Sequence, residues 1–462
     1  MAHFISQQTF DDAVRENIEE FGLEPQDALK ETINQFEAQG VDLSSIVKEL
    51  SLGPSKADEI KAAIEKLKEL NKIDTPDKVL MDQMDVIRIE CDKGLTNKVA
   101  VAKAGAYDVL LDVLDTKRSY IVVERICLKT LTSLMTKQPD LLDSRGIQSM
   151  FRFLNPKVDF DLKKLTLRWI KECCVMHEMN RQNIFNARVL DNLKDLLKDS
   201  NPEIIREVMS VFRALILDDD VRVEFGNAHE HARIIASEFL CYLTLLMKKY
   251  QTDESFIHDL ILTVTALMVR NEFCKKVKDA GGIQMLLSIM ENFKNNERVN
   301  RQCFKLIKSL AGNDDCKVYL IQVGLAPVYT TALEQNKNNV NTAIAGLNAI
   351  AALALRSPEN SKALFEANMH TVMVEIMKLY PDEKQVQKSA SRAIRNMVSR
   401  SRYQNDSFVE LGVEELLQKN LKKFPDIEYD TKAALRDLGC NVHLKEEWTG
   451  KGGALTTGAV MS

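Results

Sequence analysis

The sequence predicts an all-helical solenoid, a stack of short helical units in place of one globular core. Three observations carry that prediction. Amphipathic helices follow one another along most of the 462 residues, with apolar residues at helical spacing. A break recurs between them: a short helix end, a glycine and a helix restarting at once, as in Lys278-Asp-Ala-Gly-Gly-Ile-Gln-Met-Leu-Leu-Ser-Ile-Met290. The breaks also keep a constant period.

Comparable breaks fall at Lys103-Ala-Gly-Ala106, Ser144-Arg-Gly-Ile147, Asn186-Ala-Arg-Val189, Gln322-Val-Gly-Leu325, Glu366-Ala-Asn-Met369 and Glu410-Leu-Gly-Val413. Gly105 to Gly146 is 41 residues and Gly146 to Arg188 is 42, while Gly281, Gly324, Asn368 and Gly412 are separated by 43, 44 and 44. The step from Arg188 to Gly281 is 93 residues, so a hidden break is expected near Arg233, inside His231-Ala-Arg-Ile-Ile235. Periods of roughly 40 to 47 residues belong to HEAT and armadillo repeats. Each unit reads as a short helix, the break, a second helix, a polar turn and a longer third helix. Three helices per unit favour armadillo over two-helix HEAT, and stacking supplies the core that no unit can bury alone. The predicted fold class is all-α: an armadillo-type right-handed α-solenoid, a superhelix of about eight repeats, with an N-terminal helical extension.

Residues 1–49 do not keep the period and predict a helical hairpin. Thr9 can cap a helix carrying Phe10, Val14, Ile18 and Phe21 on one face, and a second helix runs from Pro25 to Gln39 before Gly40. Residues 50–74 alternate Lys and Glu around few apolar positions and are expected as a charged helix or linker. Thr75-Pro76 opens the repeat solenoid, expected over 75–440. Third helices are expected to contain Val123 to Met135, Leu162 to Met176, Ile204 to Leu217, Phe256 to Val269, Val299 to Ala311, Thr342 to Leu355 and Val386 to Val398. Residues 441–462 are polar and glycine-rich, a flexible tail by expectation.

Composition narrows the function. No apolar run approaches the roughly 18 residues that span a bilayer, and the start lacks a basic region followed by an apolar core, so a cytoplasmic or nuclear protein without a membrane span is expected. The nine cysteines are odd in number and scattered on apolar faces, as free thiols in a reducing compartment would be. The first 100 residues hold 12 Lys or Arg against 21 Asp or Glu, a net of −9, which leaves +4 on the remainder of a chain whose total is −5.

Several stretches carry a more particular likeness. Thr9-Phe-Asp-Asp-Ala-Val-Arg-Glu-Asn-Ile-Glu-Glu-Phe21 with Gln39-Gly-Val-Asp-Leu43 resembles the armadillo repeat-containing protein 6 family. So do Asp218-Asp-Asp-Val-Arg222 with Phe225-Gly-Asn-Ala-His229-Glu-His231, Arg270-Asn-Glu-Phe-Cys274, Ala311-Gly-Asn-Asp-Asp315 and Lys432-Ala-Ala-Leu-Arg-Asp-Leu-Gly-Cys440 followed by Trp448-Thr-Gly450. The resemblance implies an armadillo solenoid, no catalysis, and a partner held in the groove of third helices.

Armadillo grooves such as that of importin alpha carry an asparagine at one third-helix position and a tryptophan four residues earlier. Aligned on apolar residues, the asparagine position here holds Ser133, Glu172, Ala214, Ala266, Ser309, Ala352 and Asn396; the tryptophan position holds Lys129, Arg168, Ser210, Leu262, Lys305, Asn348 and Arg392. Without tryptophan, recognition of basic nuclear signals is not expected. The same face is basic instead: Arg125, Lys164, Arg206, Arg301 and Lys388 stand one turn before, and Lys171, Arg213, Lys308 and Arg395 one turn after. Over seven helices, the tryptophan position with the positions one turn before and one turn after it makes 21, of which thirteen are Lys or Arg and none is acidic. A groove of one sign draws in opposite charge. An acidic protein or peptide partner is therefore expected on these residues, with Asn396 the one ladder-like asparagine. The rival occupant is nucleic acid, against which stand a pI of about 5.9 and only 6% aromatic residues for base stacking. The acidic N-terminal segment is a candidate cover for the groove.

Other constellations are weaker. His229 and His231 close after Asp218-Asp-Asp220 invite a metal, but no second ligand pair accompanies them and the acids can cap the following helix; no metal or cofactor is expected. Cys173 and His177 stand i, i+4, as a packed helix end would place them. No phosphate loop or nucleophile elbow is present, and no catalytic residue is expected.

Overall fold

The computed structural model describes residues 5, 7–43, 46, 48, 54–72, 76–445 and 454–456. They form two compact units, Met1–Ala232 and Arg233–Ser462, each a stack of helices.

The first unit opens with the hairpin α1 (Gln7–Glu19) and α2 (Pro25–Ala38), whose own core is Phe10, Leu43 and Ile46 with Val14, Leu29, Ile33 and Phe36 against them. The first helix begins two residues before Thr9, the expected cap. There follow α3 (Pro54–Lys72), α4 (Asp77–Asp92), α5 (Leu95–Lys103), α6 (Ala106–Thr116) and α7 (Ile121–Met135). Within the stretch expected as a charged helix or linker, residues 54–72 form the helix α3. Ile60, Ile64 and Leu67 of α3, at i, i+4 and i+7, are 3%, 1% and 0% exposed, and α3 packs on α4 and α6. Three apolar residues on one face suffice, and the Lys and Glu residues that dominate the composition cover the other. Thr75 lies outside the described residues; α4 starts at Asp77 with Pro76 as its N-cap. The unit continues with α8 (Ser144–Phe153) and α9 (Phe160–Cys174), then α10 (Glu178–Asn186), α11 (Val189–Leu196) and α12 (Pro202–Leu215). The third helices α4, α7, α9 and α12 pack each on the next. The boundary between units falls within α13 (Ala228–Lys249).

The second unit repeats the plan: α14 (Glu254–Ala266); α15 (Asn271–Asp279), α16 (Gly282–Asn292) and α17 (Glu297–Leu310); α18 (Asp314–Gln322), α19 (Leu325–Asn336) and α20 (Val340–Ala354); α21 (Pro358–Glu366), α22 (Met369–Leu379) and α23 (Lys384–Val398); α24 (Asn405–Glu410), α25 (Val413–Lys423) and α26 (Glu428–Asp437). Its third helices α14, α17, α20, α23 and α26 stack in that order.

The periodic break is a left-handed residue. Gly105, Arg188, Gly281, Gly324, Asn368 and Gly412 have φ between 61° and 91°, and each directly precedes a second helix. One such residue turns the chain sharply enough to restart a helix against the previous one. Gly146 differs from the expectation. Asp143 already caps α8 ahead of it, and the first helix is reduced to the 3-10 turn Pro139–Leu141. A Cβ on Gly146 would stand 2.2 Å from the Tyr107 hydroxyl, so close approach explains this glycine. The hidden break near Arg233 is absent, because α13 runs unbroken through it; an irregular stretch over 217–227 stands where a first helix would be. In the segment expected as a loose tail, β1 (His443–Lys445) pairs antiparallel with β2 (Ala454–Thr456), His443 opposite Thr456.

Candidate partner-binding surface

Polar side chains cap the start of five third helices. The side chains of Asp159, Asn201, Asp253, Asn296 and Asn339 each accept a backbone N–H in the first turn that follows, holding α9, α12, α14, α17 and α20 in a common frame. A common frame puts the predicted basic residues on one helix face. It also puts them opposite the next third helix, where five of them meet an acid.

In the first unit Arg125 of α7 makes a forked bond to Asp159, 2.9 and 3.0 Å from its Nη2, and reaches Asp161 at 3.2 Å. Lys164 of α9 pairs with Glu203 of α12 and lies over the Phe160 ring, while Arg168 Nε donates to Glu207 at 2.8 Å. Lys171 stands 3.6 Å from Glu172, and Arg206 and Arg213 are engaged as well. Of the predicted basic residues of that unit, Lys129 is exposed with no acid within ion-pair distance among the described residues. In the second unit Arg392 donates to Asp430 at 3.0 Å, and Arg395 reaches Asp437 at 3.8 Å beside the Tyr429 ring. Lys388 shares the field of Asp426, whose carboxyl is held low first by Lys384. These acids escaped the sequence reading because they lie outside the 21 aligned positions. Their signal is an offset: Glu203 and Glu207 follow Lys164 and Arg168 by 39 residues.

One group is unanswered. Arg301, Lys305 and Lys308 of α17 face α20, which has no charged residue in its fifteen. Together with Asn341, Ile344, Ala345 and Asn348 they line a cleft of about 470 Å³. Lys305 and Lys308 are exposed with no ion-pair partner among the described residues, and the Arg301 Nε–H is buried with no acceptor there. The lack of any acidic residue on α20 is the reason that these three charges remain uncompensated.

The ladder-like asparagine also has a contact within the fold. Asn396 donates to the Ala351 carbonyl at 2.8 Å and so ties α23 to α20. The recurrent asparagines sit on first helices: Asn180 bonds the Cys173 and Pro139 carbonyls, and Asn360 the Leu353 and Lys317 carbonyls, joining successive repeats. On the hairpin, Asp11 pairs with Lys103 of α5, a first helix, at 3.5 Å.

An ARMC6 family model matches residues 60–457, and one described as the armadillo repeat-containing protein 6 N-terminal domain matches residues 2–69. This chain belongs to the armadillo repeat-containing protein 6 family. It is 43% identical over 458 residues to the armadillo repeat-containing protein 6 homolog of Drosophila melanogaster, covering 97% of this chain and 98% of that one. It is 33% identical to armadillo repeat-containing protein 6 of Homo sapiens, covering 98% and 94%. Among solved structures it resembles an engineered protein at a TM-score of 0.68 and 18% identity, over 97% of this chain and all of that one. It also resembles a chain from a structure concerned with a phosphorylation switch in the interaction between cadherin and β-catenin, at a TM-score of 0.59 and 14% identity, over 81% and 68%. Both likenesses show the armadillo fold.

In this family member the stretch Asp218 to His231 is structural. Asp220 accepts the Glu178 N–H at 2.8 Å and Asp219 the Met176 N–H at 3.1 Å, so the acids cap α10, which precedes them, and not the helix that follows. Arg181, fully buried, donates to Glu178 at 2.9 Å, Asp219 at 2.6 Å and the Cys174 carbonyl at 2.7 Å. Arg222 joins Asp220, Asp140 and the Met176 carbonyl. His231 stacks on Phe185 at 3.9 Å and meets the Leu215 carbonyl, whereas His229 is exposed; two residues apart on a helix, they face different surroundings. Cys173 and His177 do not share a helix, since α9 ends at Cys174 and His177 caps α10. Burial pushes the Cys91 and Cys174 thiols up to about 12, which removes the thiolate that reactive cysteines need. Among the described residues no cluster of three or more metal-ligating side chains occurs, and no helix is long and apolar enough to cross a membrane.

Proposed function

We propose that this chain is a non-enzymatic protein-interaction scaffold that holds an extended, acidic segment of a partner protein on the third-helix face of its second unit, in the cytoplasm or nucleus. The observation that carries the proposal is the α17–α20 cleft, where Arg301, Lys305 and Lys308 stand without acids and two asparagine amides stand beside them. Family membership and the armadillo fold support the scaffold reading, and the structure it resembles at a TM-score of 0.59 concerns two proteins that interact. Nucleic acid is the weaker occupant, since no aromatic side chain lines the cleft to stack on a base.

The test is fluorescence anisotropy of the full chain with a labelled oligoglutamate peptide at rising salt. Lys305→Glu with Lys308→Glu is expected to weaken binding at least about tenfold, equivalent to about 1.4 kcal/mol. Affinity unchanged by the double reversal would sink the proposal. Arg168 and Arg392 are poor choices for reversal, because each would then repel its own partner, Glu207 or Asp430.

A further inference from the structure

We infer that the α17–α20 cleft is a subsite for a phosphorylated serine or threonine on the partner segment, so that phosphorylation of the partner sets its affinity. The inference rests on the scaffold reading and narrows its ligand. Arg301, Lys305 and Lys308 are spaced i, i+4, i+7, which brings all three to one side of α17. A single carboxylate entering among them neutralises one charge and leaves two. A phosphate monoester carries nearly two negative charges at neutral pH and three acceptor oxygens, enough to engage all three cations.

The donor set fits that group. Arg301 has an Nε–H buried without an acceptor, and a guanidinium presents its donors in the planar fork that matches phosphate oxygens. Lys305 and Lys308 bring mobile ammonium groups that are free to close on the same oxygens. Across the cleft, Asn341 and Asn348 stand i, i+7 on α20 with Ile344 between them. Those amides offer donors and acceptors to the peptide backbone on either side of the modified residue, and Ile344 offers an apolar contact for its neighbour. The volume of about 470 Å³ accommodates a residue of that size, and the all-aliphatic and polar lining gives no platform for a nucleobase.

The test uses the full chain and three fluorescein-labelled acidic heptapeptides that differ only at the central residue: serine, glutamate or phosphoserine. A single-stranded oligonucleotide serves as a fourth probe. The phosphoserine peptide is expected to bind at least ten times more tightly than the serine peptide, with the glutamate peptide near the latter. Lys305→Ala with Lys308→Ala should bring the phosphoserine-to-serine ratio close to one, Arg301→Lys should lower it, and Lys157→Ala on the exposed surface of the first unit should leave it unchanged. Circular dichroism melts establish that the variants fold.

If all three peptides bind alike, the phosphate subsite is wrong while the acidic-segment reading survives. If no peptide binds, both fall. A ratio that persists in the double alanine variant places recognition elsewhere and overturns the assignment. An oligonucleotide that binds more tightly than any peptide and loses affinity in the same variants overturns it in favour of nucleic acid.

Discussion

The α9–α12 pair of the first unit and the α17–α20 pair of the second present similar basic residues on the same helix face. In the first pair Lys164 and Arg168 meet Glu203 and Glu207, and the charges cancel within the fold. In the second pair the same 39-residue step from Lys305 lands on Ile344, and nothing cancels. The positive residues are spent on holding neighbouring repeats in one place and are left for a ligand in the other. A stripe of Lys and Arg in a sequence is therefore a stripe of positive potential only where the next repeat withholds its acids.

The compensated extreme is Arg181, and removing it should have the largest effect. Its side chain is 1% exposed and Glu178 beside it is 2% exposed, so Arg181→Met would strand a buried carboxylate. Losing one partner of such a pair costs roughly 3–5 kcal/mol. Chemical denaturation with the buried Trp169 as reporter, in a Trp448→Phe background, should show that loss; a change below about 1 kcal/mol would mean that the cluster is dispensable. Acid should loosen the same region. The bond from His177, followed by Arg222, holds the Asp140 carboxyl at about 2, below its ordinary range. Burial tends to raise the Glu178 carboxyl, but Gln182, the Asn227 N–H and Arg181 together keep it low. A depressed acid stabilises the fold fully above its unfolded value, near pH 4, and loses that contribution as pH falls toward 2. The Trp169 signal should change in that window.

How much of this was legible beforehand follows from the range of each interaction. The repeat, the three-helix unit and the position of most breaks were legible because they depend on local spacing. Gly146 misled because a glycine demanded by Tyr107 looks, in sequence, like a glycine demanded by a turn. The packing of α3, expected as a charged helix or linker, was obscured because three buried side chains among many charges leave little compositional trace. The basic positions were legible and their neutralisation was not, since ion pairing between repeats depends on residues 34 to 42 positions away.

Planting the missing acid should convert the open cleft into a closed one. Ile344→Glu places a carboxylate on α20 at the 39-residue step from Lys305, as Glu207 stands to Arg168. Binding of the oligoglutamate probe should fall about tenfold, or about 1.4 kcal/mol, with the thermal midpoint unchanged or slightly raised. If probe binding is indifferent to the new acid, the cleft is not where acidic segments dock.

The smallest effect separates the two pairs most directly. Arg168 is 49% exposed and Glu207 17%, so solvent screens their attraction and the pair is worth about 0.2–1 kcal/mol. Arg168→Glu should destabilise by that order because two acids then face each other, and adding Glu207→Arg should restore stability by recreating the pair in reverse. The double-mutant cycle isolates the coupling from the effects of either change alone. Lys305→Glu has no such partner to repel, and it should leave stability within about 0.5 kcal/mol of the parent. Equal losses at Arg168 and Lys305 would show that the two helix pairs do not differ in compensation, and the reason to prefer the α17–α20 cleft as the docking site would disappear.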